Sequence, residues 1–303
     1  MYRLLTIPLL AALLTIAATA RPAEAQSGRL PVVATFSILG DIVQNVGGDR
    51  IDLRTLVGPN GDTHTFEPTP ADARALANAA VVFEIGLNFE AWFPDLYRAS
   101  RSGAPRVAVA EGLSLSRSDE EGDRHGEWDP HVWHDVSKAI QITYTVRDAL
   151  TAADPGNQDA YIANAASYAA QLHELDTWIA GYVGCCTAPE SRKLVTVHNS
   201  LNYFGARYGF TMLATALGSI STEAEPSAQQ IATVVEQVRF HGVRAIFPEN
   251  VSSQRLMQQI ANETGAGLAP PLYTDALGPA GSAGATYYSM MVANVTTIVQ
   301  ALN

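Results

Sequence analysis

From residue 32 to the C-terminus, short apolar runs alternate with stretches in which apolar residues recur every three or four positions. The runs at 32–36, 51–57, 81–85, 107–110, 194–198, 212–217, 245–247 and 268–273 read as strands. Most are continuously apolar rather than alternating, as expected for parallel strands covered on both faces. Helix starts separate them. Thr69-Pro70 supplies an N-cap and a proline at the first helical position, and Pro226-Ser227 leads into a helical run at 229–240. Strands alternating with helices define an α/β chain with parallel sheets.

One helical stretch stands apart. Between Gly156 and Gly184 the apolar positions Tyr161, Ala165, Tyr168, Leu172, Leu175, Ile179 and Tyr182 follow one another at spacings of 4, 3, 4, 3, 4 and 3. They form a single stripe on a helix about 40 Å long, more than a crossover in a small α/β domain needs. Four strand candidates precede this helix and four follow it. The expected architecture is therefore α/β with two lobes of parallel β-sheet flanked by helices and joined by one long rigid linking helix. The lobes would span 26–155 and 185–303, with the linker at 156–184.

The N-terminus sets the expected compartment. Arg3 precedes a 17-residue apolar stretch at 4–20, and Ala23-Glu24-Ala25 is a small-x-small cleavage site, so residues 1–25 read as a cleaved signal peptide. No cysteine lies near that site. The expectation is an exported, soluble, periplasmic protein without a lipid anchor. Removing Arg3, Arg21 and Glu24 leaves 19 − 2 = 17 basic and 30 − 1 = 29 acidic residues, a net charge of −12. That balance argues against nucleic acid as a partner, which needs clustered Lys and Arg. A chain that is 47% hydrophobic and 16% charged is not mainly disordered. The only two cysteines, Cys185 and Cys186, are adjacent and cannot link distant parts of the fold.

Candidate chemistry lies at strand ends. His64 sits in a turn-rich loop after the 51–57 strand, and His131 follows an acidic segment at 116–129. His198 closes the 194–198 strand, and Asp275 follows a strand-like Leu272-Tyr273. Ligands of open α/β sheets bind outside the C-terminal ends of strands. The four are separated by 67, 67 and 77 residues, two before the long helix and two after it. Three imidazoles and a carboxylate suit a d-block dication such as zinc, held between the lobes. His134 and His125 are fallback ligands. Glu249 is either a rival to Asp275 or, preferably, an acceptor for an imidazole N–H. Asp119, Glu120, Glu121, Asp123, His125 and Glu127 fall in a polar, acidic, Gly-containing segment that reads on its own as a solvated surface loop. His173 and His241 read as surface residues. No His-Glu-x-x-His, Gly-x-Ser-x-Gly or phosphate-cradling Gly-rich loop with Lys is present.

These motifs resemble the solute-binding proteins of zinc- and manganese-type ABC importers (cluster A-I, or cluster 9). The resemblance rests on Gly61-x-x-His64-x-x-x-Pro68-x-Pro70, Asp129-Pro130-His131-Val132-Trp133 and Asp154-Pro155-x-Asn157 leading into the long helix. It continues with Val197-His198, Glu225-Pro226-Ser227, Tyr273-Thr274-Asp275, Tyr287-Tyr288 and Met291. It implies two lobes joined by a rigid helix and one metal between them, with His64, His131, His198 and Asp275 as ligands. It also implies a membrane permease as partner, with a metallochaperone as a second candidate, a monomeric state and no catalytic activity. Manganese-preferring relatives often carry Glu at the third ligand position, where this chain has His198, so zinc is favoured over manganese. Some zinc-type members also carry a long His- and acid-rich loop before the second ligand, so the resemblance makes Asp119, Glu120, Glu121, Asp123, His125 and Glu127 a short candidate metal-capture loop. A zinc-dependent hydrolase and a surface adhesin are the readings from other classes.

Overall fold

The computed structural model describes residues 28–118, 128–219, 221–223 and 225–303. The expected signal peptide at 1–25 and the acidic candidates Asp119, Glu120, Glu121, Asp123, His125 and Glu127 lie outside the described residues.

The first lobe is built on four parallel strands, β1 (Leu30–Phe36), β2 (Ile51–Val57), β3 (Val81–Glu84) and β4 (Arg106–Ala108), in the order β2-β1-β3-β4. Central β1 is buried from Val32 onward. It runs beside β2 from Leu30↔Ile51 to Phe36↔Val57, so the two strands end level and their loops emerge on one side. The helices α1 (Ser37–Gly47), α2 (Pro70–Asn78) and α3 (Phe93–Ser100) complete the lobe. Helix α2 starts where Thr69-Pro70 predicts. Thr69 and Asp72 cap each other's backbone and Pro70 occupies the first turn, where its missing N–H removes nothing.

Helix α4 (Val136–Ala153), capped by the Asp135 carboxylate on Ser137 N, leads through a short turn at Pro155–Asn157 into α5 (Gln158–Cys186). This 29-residue linking helix packs along α1 and α4. It runs two residues later at each end than the sequence suggested, because Pro155 opens the preceding 3₁₀ turn instead. It also continues through Gly181 and Gly184, both exposed, while Ile179 and Val183 stay buried. Its buried face follows the expected stripe as far as Ile179 and then takes Val183 in place of Tyr182. A strict 3.5-residue repeat drifts around a straight helix by about 20° per heptad, enough to pass the last position to the next residue. Thr187 N donates to Val183 O, and the Arg192 guanidinium donates to the Val183 and Thr187 carbonyls, closing the helix. Cys185 and Cys186 are joined as a disulfide.

The second lobe contains β5 (Lys193–Thr196), β6 (Thr211–Thr215), β7 (Ala245–Ile246) and β8 (Gly267–Leu268) with α6 (Asn202–Tyr208), α7 (Ala228–Phe240), α8 (Arg255–Thr264) and α9 (Tyr287–Leu302). Strands β5 and β6 pair in parallel, as do β7 and β8, and Phe247 N donates to Val195 O between the two pairs. The resulting order, β6-β5-β7-β8, repeats that of the first lobe. Several strands end sooner than their apolar runs, because the chain leaves the ladder at the C-terminal strand ends to form loops. The run at 268–273 is the clearest correction. Pro270 and Pro271 have no N–H to give, so pairing stops at Leu268 and resumes only as a bridge between Leu272 and Glu249.

One continuous core runs from Val32 and Phe36 through Tyr161 and Leu172 to Phe247, Met291 and Leu302. One face of the linking helix is thus packed into a core that both lobes share, rather than the helix being strung between them. His173 on that helix is exposed, whereas His241 is half-buried rather than at the surface. Among the described residues no helix is long and apolar enough to cross a membrane.

Candidate metal centre

Each of the four strand-end candidates is held by its own local device. The loop after β2 carries His64, whose backbone N donates to Asp62 Oδ1 at 2.9 Å. That loop is fixed further by Trp92 Nε1 donating to Thr63 O at 2.8 Å and by Asn60 N donating to Leu277 O at 2.8 Å. His131 opens the turn before α4. Asp129 Oδ1 accepts from its backbone N at 2.9 Å and lies 2.8 Å from its Nδ1. His198 follows β5, and Glu249 Oε1 accepts the amides of Val197 and His198, both at 3.0 Å, while Oε2 faces the His198 Nδ1. Asp275 lies on the segment after β8. Trp133 Nε1 donates to the preceding carbonyl, Thr274 O, at 2.9 Å, and Thr274 N donates to Asn250 Oδ1.

With one edge of His131 and His198 facing these carboxylates, the Nε2 atoms point inward. His64 Nε2 lies 3.4 Å and His198 Nε2 3.0 Å from Asp275 Oδ2, and His131 Nε2 lies 3.6 Å from Asp275 Oδ1. One donor atom from each of the four residues falls within 4.8 Å of every other. His64 is 3% exposed and the other three are 0% exposed. Beyond the cluster itself, neither Asp275 oxygen, nor Nε2 of His131 or His198, has a hydrogen-bond partner. Buried polar atoms without hydrogen bonds are costly, so their convergence on one point calls for a ligand. Bonds of about 2.0–2.2 Å in a tetrahedron separate donors by roughly 3.4 Å, close to the 3.0–3.6 Å between Asp275 and the three Nε2 atoms. The set can hold one d-block dication.

Charge is arranged for that task. Burial opposes charge on His198, but the Glu249 and Asp275 carboxylates outweigh it and raise its pKa well above the usual histidine value. Burial also works against the Asp275 carboxylate, yet His198 and His131 hold its pKa well below the usual range. His64 moves the other way, because burial lowers its pKa more than Asp275 raises it.

The walls are aromatic. Phe89 meets His64 edge-on at 5.0 Å and His131 at 5.8 Å, and Trp133 lies 5.3 Å from His131. Phe89 is presented by a turn in which Leu87 and Asn88 both have positive φ, 53° and 62°. The buried Glu90 carboxylate braces that turn, accepting from Thr35 Oγ1 at 2.7 Å and Ile85 N at 2.8 Å. Its pKa is pushed up by burial to about 7.

His134 is fully buried but does not join the four. Burial lowers its pKa to about 3, and neither ring nitrogen is hydrogen-bonded. Glu249 is turned toward the outer edge of His198 rather than toward the shared point. The positions of Asp62, Phe89 and Glu90 escaped the sequence reading. Only the repeated Asp-x-His at 62–64 and 129–131 could have signalled one of them.

Two parallel-sheet lobes enclosing a buried three-histidine, one-aspartate cluster define a metal-binding protein of the α/β class. The chain belongs to the family described as zinc-uptake complex component A, periplasmic, whose model matches residues 32–301. It is 34% identical over 278 residues to the manganese-binding lipoprotein MntA of Halalkalibacterium halodurans, covering 90% of this chain and 89% of that one. It is 31% identical over 300 residues to the manganese ABC transporter substrate-binding lipoprotein PsaA of Streptococcus mitis, covering 97% and 96%. Among solved structures, the periplasmic zinc-binding protein TroA of Treponema pallidum superposes with a TM-score of 0.83 at 28% identity, covering 91% of this chain and 99% of that chain.

The family consists of metal-binding components of ABC transporters, so the chain is a transport protein and not an enzyme. This sets aside the hydrolase reading. The expectation of a periplasmic protein without a lipid anchor is corrected: the relatives from both H. halodurans and S. mitis are named lipoproteins. That expectation rested on the lack of a cysteine near residues 23–25.

Proposed function

We propose that His64, His131, His198 and Asp275 bind the transported cargo, one divalent metal ion, and that this ion is zinc. The single observation that carries the reading is the convergence of one buried donor from each residue, two from either side of the linking helix. Three neutral nitrogens and one carboxylate suit zinc better than manganese, which favours oxygen-rich surroundings. On this reading the first lobe spans 26–155, the linker 156–184 and the second lobe 185–303, and the ion is passed to the membrane permease of an ABC importer. Manganese is the second reading, favoured by the names of the MntA and PsaA relatives.

Metal analysis of the chain purified without chelator, followed by competitive titration of zinc against manganese, tests the choice. Zinc should be retained at one ion per chain and should displace manganese. His64→Ala, His131→Ala and His198→Ala should each weaken zinc binding by orders of magnitude while the metal-free fold persists. Full affinity in any one of them removes that residue from the site.

A further inference from the structure

The two histidine loops of the first lobe share a construction that reaches beyond the lobe. In each, an aspartate two residues before the histidine uses one oxygen to hold the histidine's own backbone N. Asp62 Oδ1 does this for His64 and Asp129 Oδ1 for His131, both at 2.9 Å. In each, the other oxygen accepts from a side chain of the second lobe. Thr222 Oγ1 donates to Asp62 Oδ2 at 2.6 Å, and Asn202 Nδ2 donates to Asp129 Oδ2 at 3.1 Å. Those partners are 160 and 73 residues away in sequence.

Both partners are tied to the segment that carries His198. Asn202 opens α6, four residues after His198. Thr222 lies on a segment whose Ser219 O accepts from Asn199 N at 2.8 Å. Ser219 Oγ in turn accepts from Ser221 N at 2.9 Å, which fixes the residue beside Thr222. Each aspartate therefore joins the backbone of a first-lobe histidine to the immediate surroundings of the second-lobe histidine. Asp129 also orients the His131 ring, whereas the Asp62 carboxylate accepts from the His64 backbone and from Thr222.

We propose that Asp62 and Thr222 form an interlobe clasp that sets how long the metal stays bound. The inference rests on the reading of His64 as a ligand. With the clasp made, His64 is held where it meets the second-lobe donors; with it broken, the His64 loop is free to withdraw without any change in the donor set. Asp62 and Thr222 are thus positioning residues, and Asp129 with Asn202 is a second clasp of the same design.

The test is the rate of zinc loss from the full chain into excess chelator, read by stopped-flow for wild type, Thr222→Val, Thr222→Ser and Asn202→Ala. A hydrogen bond to a charged acceptor is worth about tenfold or more in an equilibrium. Zinc loss from Thr222→Val should therefore speed up by about tenfold, with one ion still bound per chain and the metal-free chain still melting cooperatively. Thr222→Ser, which keeps the hydroxyl, should return the rate to that of wild type, and Asn202→Ala should also release faster. Two results overturn the clasp: a wild-type rate in Thr222→Val, or equal acceleration by Thr222→Val and Thr222→Ser. Retention of full zinc affinity by His64→Ala would instead remove the ligand reading beneath it.

Discussion

Glu249 grips His198 from two directions, accepting both backbone amides at the end of β5 with one oxygen and facing the imidazole Nδ1 with the other. The strand end and the ring orientation are thereby set by a single buried carboxylate. Thr274 Oγ1 donates weakly to the same carboxylate at 3.4 Å, which extends its hold to the residue before Asp275. Glu249→Gln keeps the size and the amide acceptor but cannot accept strongly at both atoms. It should lower zinc affinity by about 10–100-fold, the usual cost of losing an outer partner of a ligating histidine. Competitive titration against a chromophoric chelator reads this directly, and Glu249→Ala should lose more.

Proton release should mark binding. The neighbouring carboxylates raise the His198 pKa well above the usual histidine value despite its burial, so the metal-free protein should carry a proton there near neutral pH. Zinc must displace that proton, so near pH 7 about one proton should leave per ion bound, and affinity should fall as pH falls. His64, with its pKa held below the usual value, adds to the loss only in more acid solution. Calorimetry in two buffers of different ionisation enthalpy counts the protons.

The same shift sets the stability of the metal-free form. A raised histidine pKa contributes stability that is fully present below about pH 6.5 and is lost as pH rises through the folded value. The lowered Asp275 pKa contributes stability present above about pH 3.9 and lost as pH falls through its folded value. The rise in melting temperature on adding zinc should therefore be larger at pH 8 than at pH 6, because the metal takes over a role the proton plays at lower pH.

Leu172 sits at the middle of the buried face of the linking helix, 0% exposed within the core shared by both lobes. Leu172→Ala should destabilise the metal-free protein by about 2–5 kcal/mol. Zinc affinity of the folded variant should change far less, since none of the four proposed ligands lies on the linking helix. Denaturant unfolding and titration of the same sample separate the two effects.

A helix packed this way should not act as a hinge. Removing the metal should loosen the loops around His64, His131 and Asp275 while leaving the lobes in place. Small-angle scattering should give nearly the same radius of gyration for metal-free and zinc-loaded protein. A clear contraction on loading would show whole-lobe motion.

The linking helix was legible because seven apolar residues repeat at helical spacing, and the strands because apolar runs alternate with caps such as Thr69-Pro70. Strand ends were less so. Whether residues 269–273 pair depends on how Pro270-Pro271 meets a strand more than 20 residues earlier, which periodicity does not encode. The four converging donors stood out as chemically apt residues at strand ends. Their supports did not, because Asp62 acts through Thr222, Glu90 through Thr35 and Glu249 through a strand far away in sequence. Side-chain bonds of that range leave no local pattern beyond the repeated Asp-x-His.

The central claim is that one metal ion sits among His64, His131, His198 and Asp275. Crystals of the zinc-loaded chain, measured on both sides of the zinc absorption edge, test it most directly. The account predicts one strong anomalous peak about 2.0–2.2 Å from the Nε2 atoms of the three histidines and from an Asp275 oxygen. A principal peak elsewhere, at His134 or on surface carboxylates, with these four side chains still packed on one another, would contradict it.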